Sequence, residues 1–150
     1  MICLDTNVVI AALNNPTASI RSRMDSARAA NAVLVLPTIA LFELRYGAAK
    51  SGRPERNARR LDDFLAGDIS VLPFDDDDAR EAGVIRASLE RGGTPIGPYD
   101  ILIAAQARRR GALLVTANAG EFARVPGLRL EDWGCADLIA ATLSPCVVAK

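Results

Sequence analysis

Short apolar runs, each of a length that suits a buried strand, recur along the chain and are separated by longer amphipathic stretches. Ile2-Cys3-Leu4, residues 33–36, Ser70-Val71-Leu72 and Leu113-Leu114-Val115 read as strands, and residues 128–130 as a last strand at an edge. Between them lie helical patterns over residues 8–13 and 17–30, then one opened by Pro37-Thr38 that stops near Gly47 or the Lys50-Ser51-Gly52 turn. Residues 55–65 form another behind Pro54, at a first-turn position, and one more runs on from the Asp75-Asp76-Asp77-Asp78 stretch to about Arg91. Residues 99–110 make a further helix, ended by Gly111, and residues 118–122 a short helical turn. Strands alternating with helices predict right-handed crossovers and an α/β fold, a central parallel sheet flanked by helices in three layers.

A chain of 150 residues, half of them apolar, is long enough for one domain with a proper core. Its apolar runs fall far short of the roughly 20 residues that span a bilayer, and the first strand begins without a charged leader, so a cytoplasmic protein with no membrane contact is expected. Cys3, Cys135 and Cys146 lack metal-type spacing and argue against both a disulfide framework and a zinc site. Residues 134–150 are mildly apolar, contain Pro145 and read as a tail of unknown role behind a domain of residues 1–133.

The chain has no histidine. That removes Ser-His-Asp and Cys-His catalysis, histidine-relayed RNA cleavage and His-ligated zinc, and leaves acid-base or metal chemistry to carboxylates. The net charge is zero, with 18 basic and 18 acidic residues, so no global field gathers a polyanion. A local basic stripe survives: Arg45, Lys50, Arg53, Arg56, Arg59 and Arg60 lie close together against only Glu55. Arginine dominates the basic residues, which suits bidentate phosphate contacts and equally follows from a GC-rich coding sequence.

Three acids stand in apolar surroundings. Asp5 ends the first strand, Glu43 lies inside Ile39-Ala40-Leu41-Phe42-Glu43-Leu44, and Asp100 precedes Ile101-Leu102-Ile103-Ala104-Ala105. A charge in such a run costs several kcal/mol unless something compensates it. Each has a plainer reading: Asp5 as a turn residue with Thr6 or Asn7 capping the next helix, Glu43 as a partner of Arg45 or another arginine, Asp100 as a helix cap. Together, on elements that end at one sheet edge, they predict a convergent oxygen-only site suited to Mg²⁺ or Mn²⁺ and to phosphodiester hydrolysis. The Asp75-Asp76-Asp77-Asp78 run is assigned instead to helix capping and solvation, because consecutive acids on a helix diverge and a first turn favours negative charge.

LDTNVVI at the start, ELRYGAAKSG from Glu43, PIGPYDILIAAQA from Pro95 and LLVTANAGEFARVPGLRLEDW from Leu113 together resemble the PIN-domain ribonucleases, in particular the VapC-type toxins of bacterial toxin-antitoxin pairs. The resemblance covers residues 1–133 and implies a PIN-like fold and a metal-dependent endoribonuclease acting on tRNA or other structured RNA. It implies catalytic roles for Asp5, Glu43 and Asp100, with Asp5 and Asp100 binding Mg²⁺ or Mn²⁺. Many PIN domains carry aspartate where this chain has Asn118. Glu121, three residues on, is the candidate for the fourth charge, with Thr6, Asn7, Thr116 and Asn118 in supporting positions. The resemblance also implies a homodimer and a cognate VapB-like antitoxin that blocks the site. Arg45, Arg53 and Arg56 are the candidate RNA contacts. The competing readings are a catalytically inactive PIN-like scaffold that binds metal or RNA, and a Mg-dependent phosphatase. The phosphatase reading wants a second acid where Asn7 stands and a suitably placed lysine.

Overall fold

The computed structural model describes residues 1–14 and 19–134. Within them the elements are β1 (Ile2–Leu4), α1 (Thr6–Asn14), α2 (Ser19–Ala29), β2 (Leu34–Pro37), α3 (Thr38–Lys50) and α4 (Pro54–Leu65). They continue with β3 (Ile69–Leu72), α5 (Asp76–Arg91), α6 (Pro98–Arg109), β4 (Leu113–Val115), α7 (Ala119–Phe122) and β5 (Arg129–Glu131). The expected order holds throughout, with ends moved by a residue or two. Pro37, expected to open a helix, is instead the last residue of β2. The tail after Gly134, with Cys135 and Cys146, lies outside the described residues.

All five strands pair in parallel, in the order β3-β2-β1-β4-β5. The run Leu34-Val35-Leu36 is buried at every position, as a strand covered on both faces by helices must be. Cys3 and Leu4 of the central strand are fully buried, and the Cys3 thiol is free, pushed up to about 11 by that burial. From β1 the chain builds outward to β2 and β3, then returns to the other side of β1 for β4 and β5. The carboxyl ends of β1 and β4 therefore flank the point where the winding reverses, which is where open α/β sheets leave a crevice for ligands. Among the described residues no helix is long and apolar enough to cross a membrane.

The aspartate run is half as expected. Asp75 and Asp78 form a reciprocal capping box at the start of α5, and Asp76 and Asp77 are exposed. Asp78, however, is fully buried rather than solvated. Its carboxylate takes Arg109 at 2.8 Å and Arg110 at 2.5 Å, so it ties the start of α5 to the end of α6 and to Arg110 just beyond it. Burial alone would raise this carboxyl; hydrogen bonds from Arg110, Arg109 and the Asp75 backbone overcome it and hold the group down at about 2.

Candidate active site

The site begins with the register of the two strands beside the switch point. Leu4 of β1 pairs with Val115 of β4, so the next residues, Asp5 and Thr116, leave the sheet side by side. The Thr116 hydroxyl donates to Asp5 Oδ2 at 2.6 Å, and the Thr6 N–H donates to Asp5 Oδ1 at 2.7 Å. Asp5 is 4% exposed. That burial raises its carboxyl above the ordinary value, against the lowering effect of Thr116, Thr6 and a weaker bond from Asn7, and the negative Glu43 raises it further. The plain turn reading does not describe a carboxylate held this closely. Nor do Thr6 and Asn7 cap the helix: α1 starts at Thr6 itself, with Val8 and Val9 N–H both donating to the Asp5 carbonyl.

Thr6 is then free to act sideways, and its hydroxyl donates to Glu43 Oε2 at 2.5 Å. Glu43 is half-buried on α3 and does not pair with Arg45, whose guanidinium sits on Asp62 at 2.7 Å. Asn7 works in the other direction, its Oδ1 accepting from Ala117 N–H at 3.1 Å, which joins the loops after β1 and β4. Asn118 belongs to the same loop: its N–H donates to the Thr116 hydroxyl at 2.9 Å, while its side chain makes no capping bond to α7.

Asp100 sits in the first turn of α6, where the N-cap is Gly97 and no side chain caps the helix, so the capping reading of Asp100 fails. Its carboxyl lies within hydrogen-bonding reach of Glu121 on α7. Partial burial, this contact, and the charges of Asp5, Glu121 and Glu43 together raise Asp100 to about 7. The sequence did not point to Gly97, yet a Cβ there would stand 2.9 Å from Asp100 Oδ2. The signal available was a glycine three positions before a helix-opening acid.

Asp100 on α6 thus feels three other acids, Asp5 at the β1–α1 junction, Glu43 on α3 and Glu121 on α7. None of the four is in an ion pair among the described residues, although arginines pair with acids elsewhere over the surface. One expectation needs correction: no three acidic or cysteine side chains among the described residues close on a single point that would hold an ion. Thr6 holds Glu43, and Asp100 is drawn to Glu121, so the carboxylates share a crevice without collapsing into a cage. The donor set still fits a hard divalent cation, because its oxygens are uncompensated, and Mg²⁺ characteristically uses one or two carboxylates plus waters rather than an all-protein cage. Asp100 feels the charges of Asp5, Glu121 and Glu43, and Asp5 feels that of Glu43.

The basic stripe is only partly available. Arg45 is engaged by Asp62, whereas Arg53 and Arg56 are exposed at the start of α4.

Residues 2–128 match the PIN domain family. The tRNA(fMet)-specific endonuclease VapC of Shigella flexneri is 45% identical over 130 residues, which are 87% of this chain and 96% of that protein. Ribonuclease VapC2 of Haemophilus influenzae is 41% identical over 131 residues, with the same coverage of 87% and 96%. Among solved structures, the DNA-bound VapBC of Salmonella typhimurium superposes with a TM-score of 0.81 at 43% identity, covering 88% of this chain and 97% of that one. VapBC2 of Rickettsia felis, bound to a fragment of its promoter, gives 0.83 at 37% identity, over 89% and 99%. With the family match spanning every strand but the last, and VapC proteins aligned over most of the length, the chain belongs to the PIN-domain family, within its VapC group.

Proposed function

We infer that the chain is a divalent-metal-dependent endoribonuclease toxin, and that Asp5, Glu43, Asp100 and Glu121 are its catalytic acids. The observation that carries the reading is four uncompensated carboxylates gathered at the switch point of a parallel sheet, in a chain without histidine. Asp5 and Asp100 would hold the ion, Mg²⁺ or Mn²⁺. When bound, such an ion lowers the pKa of a coordinated water and offsets charge on the phosphate under attack.

The remaining steps belong to the side chains. Thr116 and the Thr6 N–H fix both oxygens of Asp5, so the ligand needs little reorganisation when a cation arrives. Thr6 occupies Oε2 of Glu43, leaving Oε1 to accept a proton from the attacking water. Glu121, beside Asp100, supplies the fourth charge of the site. Asn7 and Asn118 hold the β1 and β4 loops at the spacing this requires.

The relatives named as tRNA(fMet)-specific endonucleases support tRNA, and initiator tRNA first, as the substrate, and a tRNA substrate is in keeping with a cytoplasmic enzyme. The VapBC complexes support a VapB-like antitoxin that keeps the enzyme inactive. The homodimer rests on the family resemblance. Arg53 and Arg56 are the exposed candidates for phosphate contacts, with Arg45 reaching RNA only by leaving Asp62. Incubating purified protein with total tRNA in Mg²⁺ and in EDTA tests the reading. A discrete cut in Mg²⁺ that vanishes in EDTA supports it; a cut that persists in EDTA removes the metal from the mechanism.

A further inference from the structure

The segment that carries Glu121 has little of its own to hold it in place. α7 is a single turn of four residues, its N-cap Asn118 makes no side-chain bond to it, and Phe122 is its one buried residue. A turn this short does not sustain itself. Asp5 is fixed by Thr116 and the Thr6 N–H, and Glu43 by the Thr6 hydroxyl, but among the described residues no donor bonds the Glu121 carboxylate. Its neighbour is Asp100, a like charge that pushes it away. The place of Glu121 must therefore come from the backbone that carries it.

Two arginines hold that backbone to α6. Arg124 donates from Nη1 to the Pro95 carbonyl at 3.0 Å, in the loop that leads into α6. Arg108, in the last turn of α6, donates to the Pro126 carbonyl at 3.1 Å and is itself held by Glu81 at 2.6 Å. Val125, between the two anchor points, is buried. The Arg124 bond is the one beside the acids. Its own N–H donates to the Glu121 carbonyl at 3.1 Å, and Pro95 stands two residues before Gly97, where a Cβ would lie 2.9 Å from Asp100 Oδ2. Arg124 follows Glu121 by three residues, the spacing at which Arg28 pairs with Asp25 and Arg80 with Asp77. Yet among the described residues Arg124 is in no ion pair and turns to Pro95 instead. A pair with Glu121 would cancel the fourth charge and draw it away from Asp100.

We propose that Arg124 is the positioning residue for the fourth acid, holding α7 against the loop before α6 so that Glu121 stays beside Asp100 with its charge intact. The proposal rests on the ribonuclease reading above and deepens it. Arginine suits the task because its fork of donors is always charged, and a charged donor makes the stronger bond to a carbonyl. The backbone acceptor adds no second acid to the crevice and takes no charge from Glu121.

Calorimetric titration of Mn²⁺ into the protein without RNA reads the effect directly. Arg124→Ala should weaken Mn²⁺ binding by about 10-fold, the lower end of what losing a supporting partner costs a metal site. Arg124→Lys, which keeps a charged donor, should recover most of that loss. Glu121→Gln should weaken binding by a similar factor, and the double variant should lose no more than Glu121→Gln alone, because an absent charge needs no positioning. With tRNA as substrate, Arg124→Ala should need about 10-fold more Mn²⁺ for half-maximal cleavage, while its KM for RNA at saturating Mn²⁺ should be that of wild type. Additive losses in the double variant, or an Mn²⁺ affinity unchanged by Arg124→Ala or by Glu121→Gln, would overturn the proposal. So would a raised KM and a shallower salt dependence at unchanged Mn²⁺ affinity, which would make Arg124 a phosphate contact. The titrations use no RNA, so they decide the role of Arg124 even if wild-type protein cuts no RNA, a result that would overturn the ribonuclease reading itself.

Discussion

The carboxyl of Asp100 lies within hydrogen-bonding reach of that of Glu121, with neither acid in an ion pair among the described residues. Two like groups placed so close cannot both ionise freely, and this one contact explains much of the elevation of Asp100 to about 7 after its partial burial. A site built this way is strained until a cation arrives. Asp100→Asn should therefore raise the melting temperature in EDTA, and wild type should gain more from added Mn²⁺ than the variant, because a ligand that binds only the folded state stabilises it. Differential scanning fluorimetry of the two proteins in EDTA and in Mn²⁺ measures this. A variant less stable than wild type in EDTA would mean that Asp100 serves the fold.

Thr116 is the second element of the design, since its hydroxyl both donates to Asp5 and accepts from the Asn118 N–H. Thr116→Val keeps the volume and removes both bonds. It should cost about 1 to 3 kcal/mol of stability, the usual consequence of leaving buried polar groups unpaired, and about 10-fold or more in turnover from a misoriented ligand. Thr116→Ser should recover both. Urea melts and single-turnover cleavage read the two effects, and a valine variant of normal activity would remove Thr116 from the site.

The acids of the site were legible in the chain because charge is expensive in apolar runs, and Asp5, Glu43 and Asp100 interrupt three of them. What joins them was not. Thr6 meets Glu43 across 37 residues and Thr116 meets Asp5 across 111, pairings that exist only once the strand order and register are set. The three separate carboxylates were expected to meet at one point; instead Thr6 holds Glu43, and Asp100 lies beside Glu121. Asp78 looked like its three neighbours, and only the helix phase makes it the residue that faces inward. An acid three places beyond a capping aspartate is a readable capping-box signal, and Arg109-Arg110 supplied the matching charge.

Asp78 also sets an acid limit on stability. Its folded-state carboxyl titrates at about 2 against an ordinary 3.8, so the stabilisation it provides is complete above about pH 4 and is lost as the pH falls from there towards 2. Asp78→Asn should destabilise at pH 7 by about 3 kcal/mol, since it leaves two arginines without their buried partner, and should flatten the acid end of the stability curve. Denaturant melts between pH 2.5 and 7 give both numbers, and an unchanged slope in the variant would mean the cluster is not coupled to folding.

Arg53 and Arg56 project from the start of α4 into solvent without ion-pair partners among the described residues. If they hold phosphates, alanine at both should weaken RNA binding and lower the slope of log K against log salt by about one unit per lost contact. Fluorescence anisotropy across a salt series measures it, and an identical slope would return both arginines to the solvated surface.

The central claim is that the acids at the switch point perform the chemistry and the acidic run does not. Initial rates of tRNA cleavage in Mg²⁺ by Asp5→Asn, Asp100→Asn and Asp76→Asn, each confirmed folded by circular dichroism, test it most directly. The first two should lose at least about 100-fold, the scale of removing a group that stabilises transition-state charge. Asp76, whose side chain is 78% exposed and pairs with Arg80 on the surface, should leave the rate at its wild-type value. Equal losses at all three positions, or wild-type rates in Asp5→Asn and Asp100→Asn, would contradict the account.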